Sequence, residues 1–166
     1  MSKQNLKYMA YALSAGAVLL ILLGLYSAVS GAKDSFGEGH LAVVTQAGQR
    51  YDFLVETAET PDQLAQGLMY RARLDANRGM LFIYPKEDMA TMWMQNTKIP
   101  LDMLFIDKAG VIVHIAADNR PYDMRQISST KPVRAVLEIN GGLAAKLGIK
   151  PGDRVENSRL DEVSRF

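Results

Sequence analysis

The sequence predicts an α+β, mostly β domain: a small antiparallel sheet or partly closed barrel with one or two short helices, preceded by one N-terminal transmembrane helix. Three observations carry that expectation. Beyond residue 40, short runs of β-branched and aromatic residues outnumber stretches with helical period. Those runs are separated by brief turn-forming segments, which favours antiparallel pairing. Finally, Tyr8 to Ala32 contains no charged side chain, and about 20 apolar residues suffice for a helix to cross a bilayer.

The N-terminal run comes first. Lys3 and Lys7 precede it, so the positive-inside rule keeps the N-terminus in the cytoplasm. The expectation is a single-pass signal-anchor in the cytoplasmic membrane, with Tyr8–Val29 in contact with lipid and the body in the periplasm or outside. Ser30-Gly31-Ala32 also offers a small-x-small cleavage site, which would convert the anchor into a signal peptide and the body into a secreted form. The domain plan is then 1–32 for the anchor, 33–40 for a linker, 41–160 for an exported β-rich domain and 161–166 for a tail.

Within the body, "LAVVT" (41–45) and "YDFLVE" (51–56) read as strands across a turn that contains Gly48. "TPDQLAQGLMY" opens a helix: Thr60 suits the N-cap, Pro61 the first helical position, and Gln63 completes a capping box. Strands follow at "MLFIY" (80–84), "TMWM" (91–94), "LDMLFID" (101–107), "VIVHIAA" (111–117) and "VRAVLEI" (133–139). Pro85 to Asp88 and Lys108-Ala109-Gly110 read as turns between them. After Gly141-Gly142 comes a short helix that Gly148 ends with a left-handed cap, then a last strand at Arg154–Asn157.

Composition narrows the function. The 166 residues carry 19 basic and 18 acidic side chains. Setting aside Lys3 and Lys7 leaves a body of net charge about −1, with no basic footprint for nucleic acid. Cysteine is absent, which excludes disulfides, thiolate metal sites and cysteine nucleophiles. No G-x-S-x-G, H-E-x-x-H, P-loop or G-x-G-x-x-G motif occurs, and no cofactor is implied.

The densest stretch is "MATMWMQNTKIPLDMLFID" (89–107), with the only tryptophan and four of the nine methionines. Strand alternation puts Leu101, Met103 and Phe105 on one face and Asp102, Leu104 and Ile106 on the other. Both faces are apolar, so the strand is expected to be covered twice and Asp102 buried. A buried carboxylate needs a partner; the Asn96-Thr97 region and Arg71 are the expected ones, at the sheet edge. Arg71 offers a planar fork for Asp102 or for an anionic ligand. Trp93 reads either as core packing or as the floor of a ligand cleft. Met92 and Met94 share a strand face and, with His114, compose a Cu(I) alternative, although strand-spaced methionines also fill cores. Glu138 shares a face with Arg134, which reads as a surface ion pair or as a second acid beside Asp102.

These residues carry a resemblance. "QGLMYRARLDANRGMLFIY" followed by "MWMQNTKIPLDMLFID" resembles the signature of the domain of unknown function 192 family. The matching positions are Gly67, Leu68, Met69 and Arg71, then Gly79 to Phe82, then Trp93, Met94, Asn96, Thr97 and Ile99 to Asp102. The later "VLE" (136–138) and "GIKPGD" (148–153) also fit. Met92 stands where the family pattern suggests an aromatic, and Gln95 where lysine is usual. The resemblance implies a compact, mostly β, exported or membrane-tethered domain, and no established reaction.

The leading functional expectation is therefore a membrane-tethered extracytoplasmic module that binds a small molecule or an envelope protein without chemistry. Its candidate ligand-binding residues are Arg71, Trp93, Asn96, Thr97, Asp102 and Glu138. Two other classes stay open: a cell-envelope hydrolase using Asp102 with Glu138 or Asp107, and a periplasmic Cu(I)-binding protein using Met92, Met94 and His114.

Overall fold

A computed structural model describes residues 35–163; the expected anchor at Tyr8–Val29 lies outside the described residues. In chain order the elements are β1 (Gly37–Val44), β2 (Arg50–Ala58), α1 (Pro61–Gln66), β3 (Arg78–Asp88), β4 (Thr91–Met92), β5 (Leu101–Ile106) and β6 (Ile112–Asn119). They continue with β7 (Ile127–Ser128), β8 (Val133–Asn140), α2 (Leu143–Leu147), β9 (Arg154–Glu156) and α3 (Ser158–Val163). Among the described residues no helix is long and apolar enough to cross a membrane.

Seven strands form one sheet in the order β6-β5-β8-β3-β2-β1-β9, while β4 and β7 pair separately. The sheet curls until its two edges meet at one end. There Val111 bridges Arg154, the Ile112 N–H donates to the Asp153 carbonyl at 2.9 Å, and the Val155 N–H donates to the Gly110 carbonyl at 2.8 Å. The result is a partly closed barrel.

Several local expectations change. The sheet is not wholly antiparallel, because β2 and β3 run parallel. The connection 59–77, which contains α1, is long enough to return the chain to the same end of the sheet, and parallel neighbours require such a crossover. β3 runs through Pro85 to Asp88 where a turn was expected, with a register shift between Ile83 and Asp88; proline has no N–H to donate, so it sits where the ladder is already broken. The strand expected at 91–94 stops at Met92, which frees Trp93 and Met94 from strand alternation. Gly37–His40 pair with β2 although they read as linker, and a third helix occupies 158–163.

Other signals act as read. Thr60 accepts from the Gln63 backbone and the Gln63 side chain returns the bond, a full capping box with Pro61 in the first turn. Gly148 closes α2 at φ 71°. Every residue of β5 is buried.

That burial arises because the sheet has a core on each face. Inside the curl, Leu41, Val55, Leu81, Leu104, Ile106 and Leu137 pack together. On the outer face, Leu68, Met80, Phe82, Met94, Met103 and Val136 form a second core roofed by the connections around α1 and β4. The candidate site lies in that second core.

Candidate functional site

β8 runs between β5 and β3. In that register Glu138 faces Met103 on one side and Met80 on the other, and cross-strand partners share a face. A carboxyl group is thus set in a row of methionines, and Glu138 is only 4% exposed. β3 approaches so closely that a Cβ on Gly79 would stand 2.7 Å from the Glu138 carbonyl oxygen. Only glycine fits beside it.

Above Glu138 opens a cleft with about 30 Å³ of free space, lined by Met69, Phe82, Met92, Trp93, Gln95 and Thr97. That is room for about one water molecule. Gly67 ends α1 at φ 47°, and a Cβ there would meet the Phe82 ring at 2.9 Å, so this glycine lets the helix end close over the ring. Among the described residues nothing donates a hydrogen bond to the Glu138 side chain and no cation pairs with it. Burial alone pushes its pKa up to about 8, because an apolar surround penalises the charged form. At pH 7 Glu138 is mainly a neutral acid. Nearby Tyr84 is raised to about 12 by burial and by the Glu138 charge, and its hydroxyl donates to Met92 Sδ at 3.3 Å.

Trp93 lines the cleft, and the loops next to it carry two more exposed aromatics and left-handed backbone. Trp93 is 48% exposed, Tyr70 64% and Tyr122 57%. Tyr70, Asn96 and Tyr122 all have positive φ, at 64°, 53° and 61°, a conformation that costs a non-glycine residue on the order of 1–3 kcal/mol. Hydrogen bonds hold it: Asn96 Nδ2 donates to the Tyr70 hydroxyl at 2.9 Å. The Tyr70 N–H reaches the Asn96 carbonyl at 2.9 Å, and the Tyr122 N–H reaches the Thr97 carbonyl at 3.1 Å. These left-handed residues lie in the segments that flank Met69 and Thr97 of the cleft lining.

The family model for domain of unknown function 192, described as an uncharacterized ACR, matches residues 42–157. The chain belongs to the domain of unknown function 192 family. A crystal structure of a candidate transcription regulator from Sinorhizobium meliloti 1021 is similar at 40% identity, with a TM-score of 0.74, 76% of this chain covered and 98% of that one. A protein of unknown function from Novosphingobium aromaticivorans DSM 12444 is 47% identical, with a TM-score of 0.70, 72% of this chain covered and 84% of that one. Among curated proteins nothing matches.

The signature residues of this family member divide into two groups. Trp93 and Thr97 line the cleft, Asn96 braces its rim, and Glu138 is its floor. Asp102 and Arg71 lie elsewhere. Asp102 is wholly buried, but neither Asn96, Thr97 nor Arg71 is its partner. Its Oδ1 accepts the Asp118 N–H at 2.7 Å and the Gly142 N–H at 2.9 Å, and its Oδ2 accepts the Ala144 N–H at 2.8 Å. It therefore ties β6 to the start of α2. Arg71 instead forks onto Glu56 at 2.5 and 2.6 Å, and that carboxylate holds its pKa above the ordinary value.

Glu138 makes no ion pair with Arg134, whose guanidinium donates to the Tyr84 carbonyl and, at 2.8 Å, to the Val163 carbonyl. Of the soft-metal group, Met94 is enclosed in the outer core, Met92 Sδ accepts from Tyr84, and His114 stacks on Phe105 with ring centroids 5.5 Å apart. His114 lines a separate cleft with Asp118 and Arg120.

Sequence reasoning missed Met69 and Gln95 as lining residues, and Tyr70 and Tyr122 as the residues bonded to Asn96 and Thr97. Alternation in "MLFIY" does put Met80, Phe82 and Tyr84 on one face, and alternation in β8 puts Val136 with Glu138. The register that joins the two faces is set by long-range pairing and is not written locally.

Proposed function

We propose that this chain is a membrane-tethered extracytoplasmic module that binds a ligand without transforming it, and that the ligand enters the cleft beneath Trp93. The observation that carries the reading is Glu138: a buried, unpartnered carboxyl at the floor of a cleft. An unpaired buried polar group costs free energy that folding alone does not recover. Trp93 and Phe82 in the lining supply aromatic contact area. The tether rests on the uncharged run from Tyr8 to Ala32 behind Lys3 and Lys7. Hydrolysis through Asp102 is disfavoured, because a carboxylate enclosed by three amides cannot reach a substrate.

Trp93 is the only tryptophan, so emission of the full-length chain in nonionic detergent reports on the cleft. A small-molecule screen read by melting temperature and tryptophan emission together is expected to yield compounds that move both. Stabilising compounds that all leave Trp93 emission unchanged would place binding elsewhere. Protease treatment of oriented membrane vesicles tests the tether, and protection of the body in spheroplasts would refute it.

A further inference from the structure

We infer that the cleft is a cation site for a primary alkylammonium group, whose head sits on Glu138 and whose methylene chain leaves past Trp93. This rests on the binding-cleft reading above and specifies its ligand.

The argument is one of charge and size. The lining includes electron-rich groups, the Glu138 carboxyl, the thioethers of Met69 and Met92 and the rings of Phe82 and Trp93, beside apolar Leu64 and Leu68 and neutral Gln66, Gln95 and Thr97. Ring faces attract cations through their quadrupole, most strongly when desolvated. No lysine, arginine or histidine lines the cleft. Of the basic side chains on neighbouring segments, Arg71 is engaged by Glu56 and Arg125 by Asp123 at 2.5 Å, while Lys98, next to Thr97, is exposed and outside the lining. Glu138 therefore has two open oxygens and no resident counter-ion.

Space selects the kind of cation. The narrow cleft, with about 30 Å³ of free space, suits a small –NH₃⁺ head better than a bulkier quaternary ammonium. An ammonium also brings three donors to a floor that offers acceptors. The half-exposed Trp93 then covers the apolar chain that follows, as amphipathic side chains do when their stems lie on apolar surface.

Proton balance gives a signature. Glu138 is mainly neutral when the cleft is empty, so seating R–NH₃⁺ forms a carboxylate–ammonium pair and sends the carboxyl proton to the buffer. The other titratable group facing Glu138 is Tyr84 on β3, whose pKa near 12 keeps it protonated throughout.

The test uses the full-length chain in nonionic detergent at pH 7, with n-butylammonium, n-butanol, tetramethylammonium and silver(I) as probes. Titration calorimetry in two buffers of different ionisation enthalpy counts protons, and Trp93 emission locates binding. Butylammonium is expected to shift the emission and release close to one proton per ligand, with tetramethylammonium inert. Glu138→Gln is expected to weaken butylammonium on the order of 30-fold or more, as loss of one partner of a buried charge pair does. Gln95→Lys places an ammonium in the cleft from within and is expected to block binding while leaving the protein folded, so it decides the matter if Glu138→Gln fails to fold. Equal binding of butanol without proton release would overturn the cation site and leave the binding cleft standing. So would silver binding with no response to butylammonium. If no probe and no screened compound moves Trp93 emission, both readings fall.

Discussion

Replacing Glu138 by glutamine keeps the shape of the side chain and removes its ionisation, which isolates the cost of burying a carboxylate. The folded-state pKa is about 8, against an ordinary value of 4.5. Between those two pH values the folded chain binds the proton and the unfolded chain does not. Stability must then fall as pH rises, by about 1.4 kcal/mol per pH unit, until the folded group also ionises. Over the whole window the loss is at most roughly 5 kcal/mol, from ~1.4 kcal/mol per pKa unit, and local opening of the cleft to water reduces it. Against a total of about 5–15 kcal/mol for an ordinary domain, the effect is large. Carboxylates with lowered pKa values, such as Asp123 at about 2, titrate below this window and do not mask it. Urea unfolding of both proteins from pH 5.5 to 8.5 measures the difference directly. Wild type is expected to lose about 2–4 kcal/mol across that range relative to Glu138→Gln, with glutamine the more stable form at pH 8.5. Parallel pH profiles would show that Glu138 is solvated or paired in solution, and the cleft would lose its defining feature.

Three further perturbations follow from the geometry. Asp102→Ala leaves the buried Ala144 amide and the partly buried Asp118 and Gly142 amides without their acceptor, at about 1–3 kcal/mol for a buried group and less where water reaches, so a loss of about 2–5 kcal/mol in urea unfolding is expected; wild-type stability would mean that α2 is held by something else. Gly67→Ala forces a side chain into φ 47° and against Phe82, an expected cost of roughly 2–3 kcal/mol, accompanied by weaker binding of any cleft ligand in a thermal-shift titration. Trp93→Ala is expected to change stability by no more than about 1 kcal/mol, since the side chain is half exposed, yet to abolish ligand-induced stabilisation; a large fall in melting temperature instead would make Trp93 a packing residue.

Much of the fold was legible because its signals are local. The Thr60 capping box, the left-handed stop at Gly148 and the turn at Gly110 each lie within a few residues of the structure they produce. Alternation in Leu101–Ile106 correctly implied two covered faces, and hence burial of Asp102. Its partners were not legible, because they are amides of Asp118, Gly142 and Ala144 brought in by pairing of β5 with β6 and β8. The parallel β2–β3 pair was likewise hidden: the connection 59–77 contains too little helix to announce a crossover. For Glu138, alternation correctly paired it with Val136 and Arg134, but that face was read as surface. What covers it is the roof of loops around α1 and β4, whose path depends on positive φ at Tyr70 and Asn96. No local pattern marks those angles.

The two buried acids divide structural from functional roles more cleanly than position in the signature does. Asp102 is the more deeply buried and belongs to the longest shared motif, yet all its neighbours are its own chain's amides. Each bond it accepts stabilises a particular joint, and an external ligand would have nothing left to satisfy. Glu138 lies in the plainer "VLE" segment and has no such supply. A protein selected only for stability would gain by putting leucine or methionine there, since the flanking Met80 and Met103 already fill the layer. Retaining an acid at that point is understandable if a partner arrives from outside. The positive φ of Tyr70, Asn96 and Tyr122 is a second local cost, in the loops that flank the cleft. The costs converge on one small cleft. A Glu138→Met variant states the consequence: it should be more stable than wild type by about 1–4 kcal/mol and should bind nothing in the cleft. If it is instead destabilised, the carboxyl contributes to folding through contacts not yet accounted for, and the division between the two acids fails.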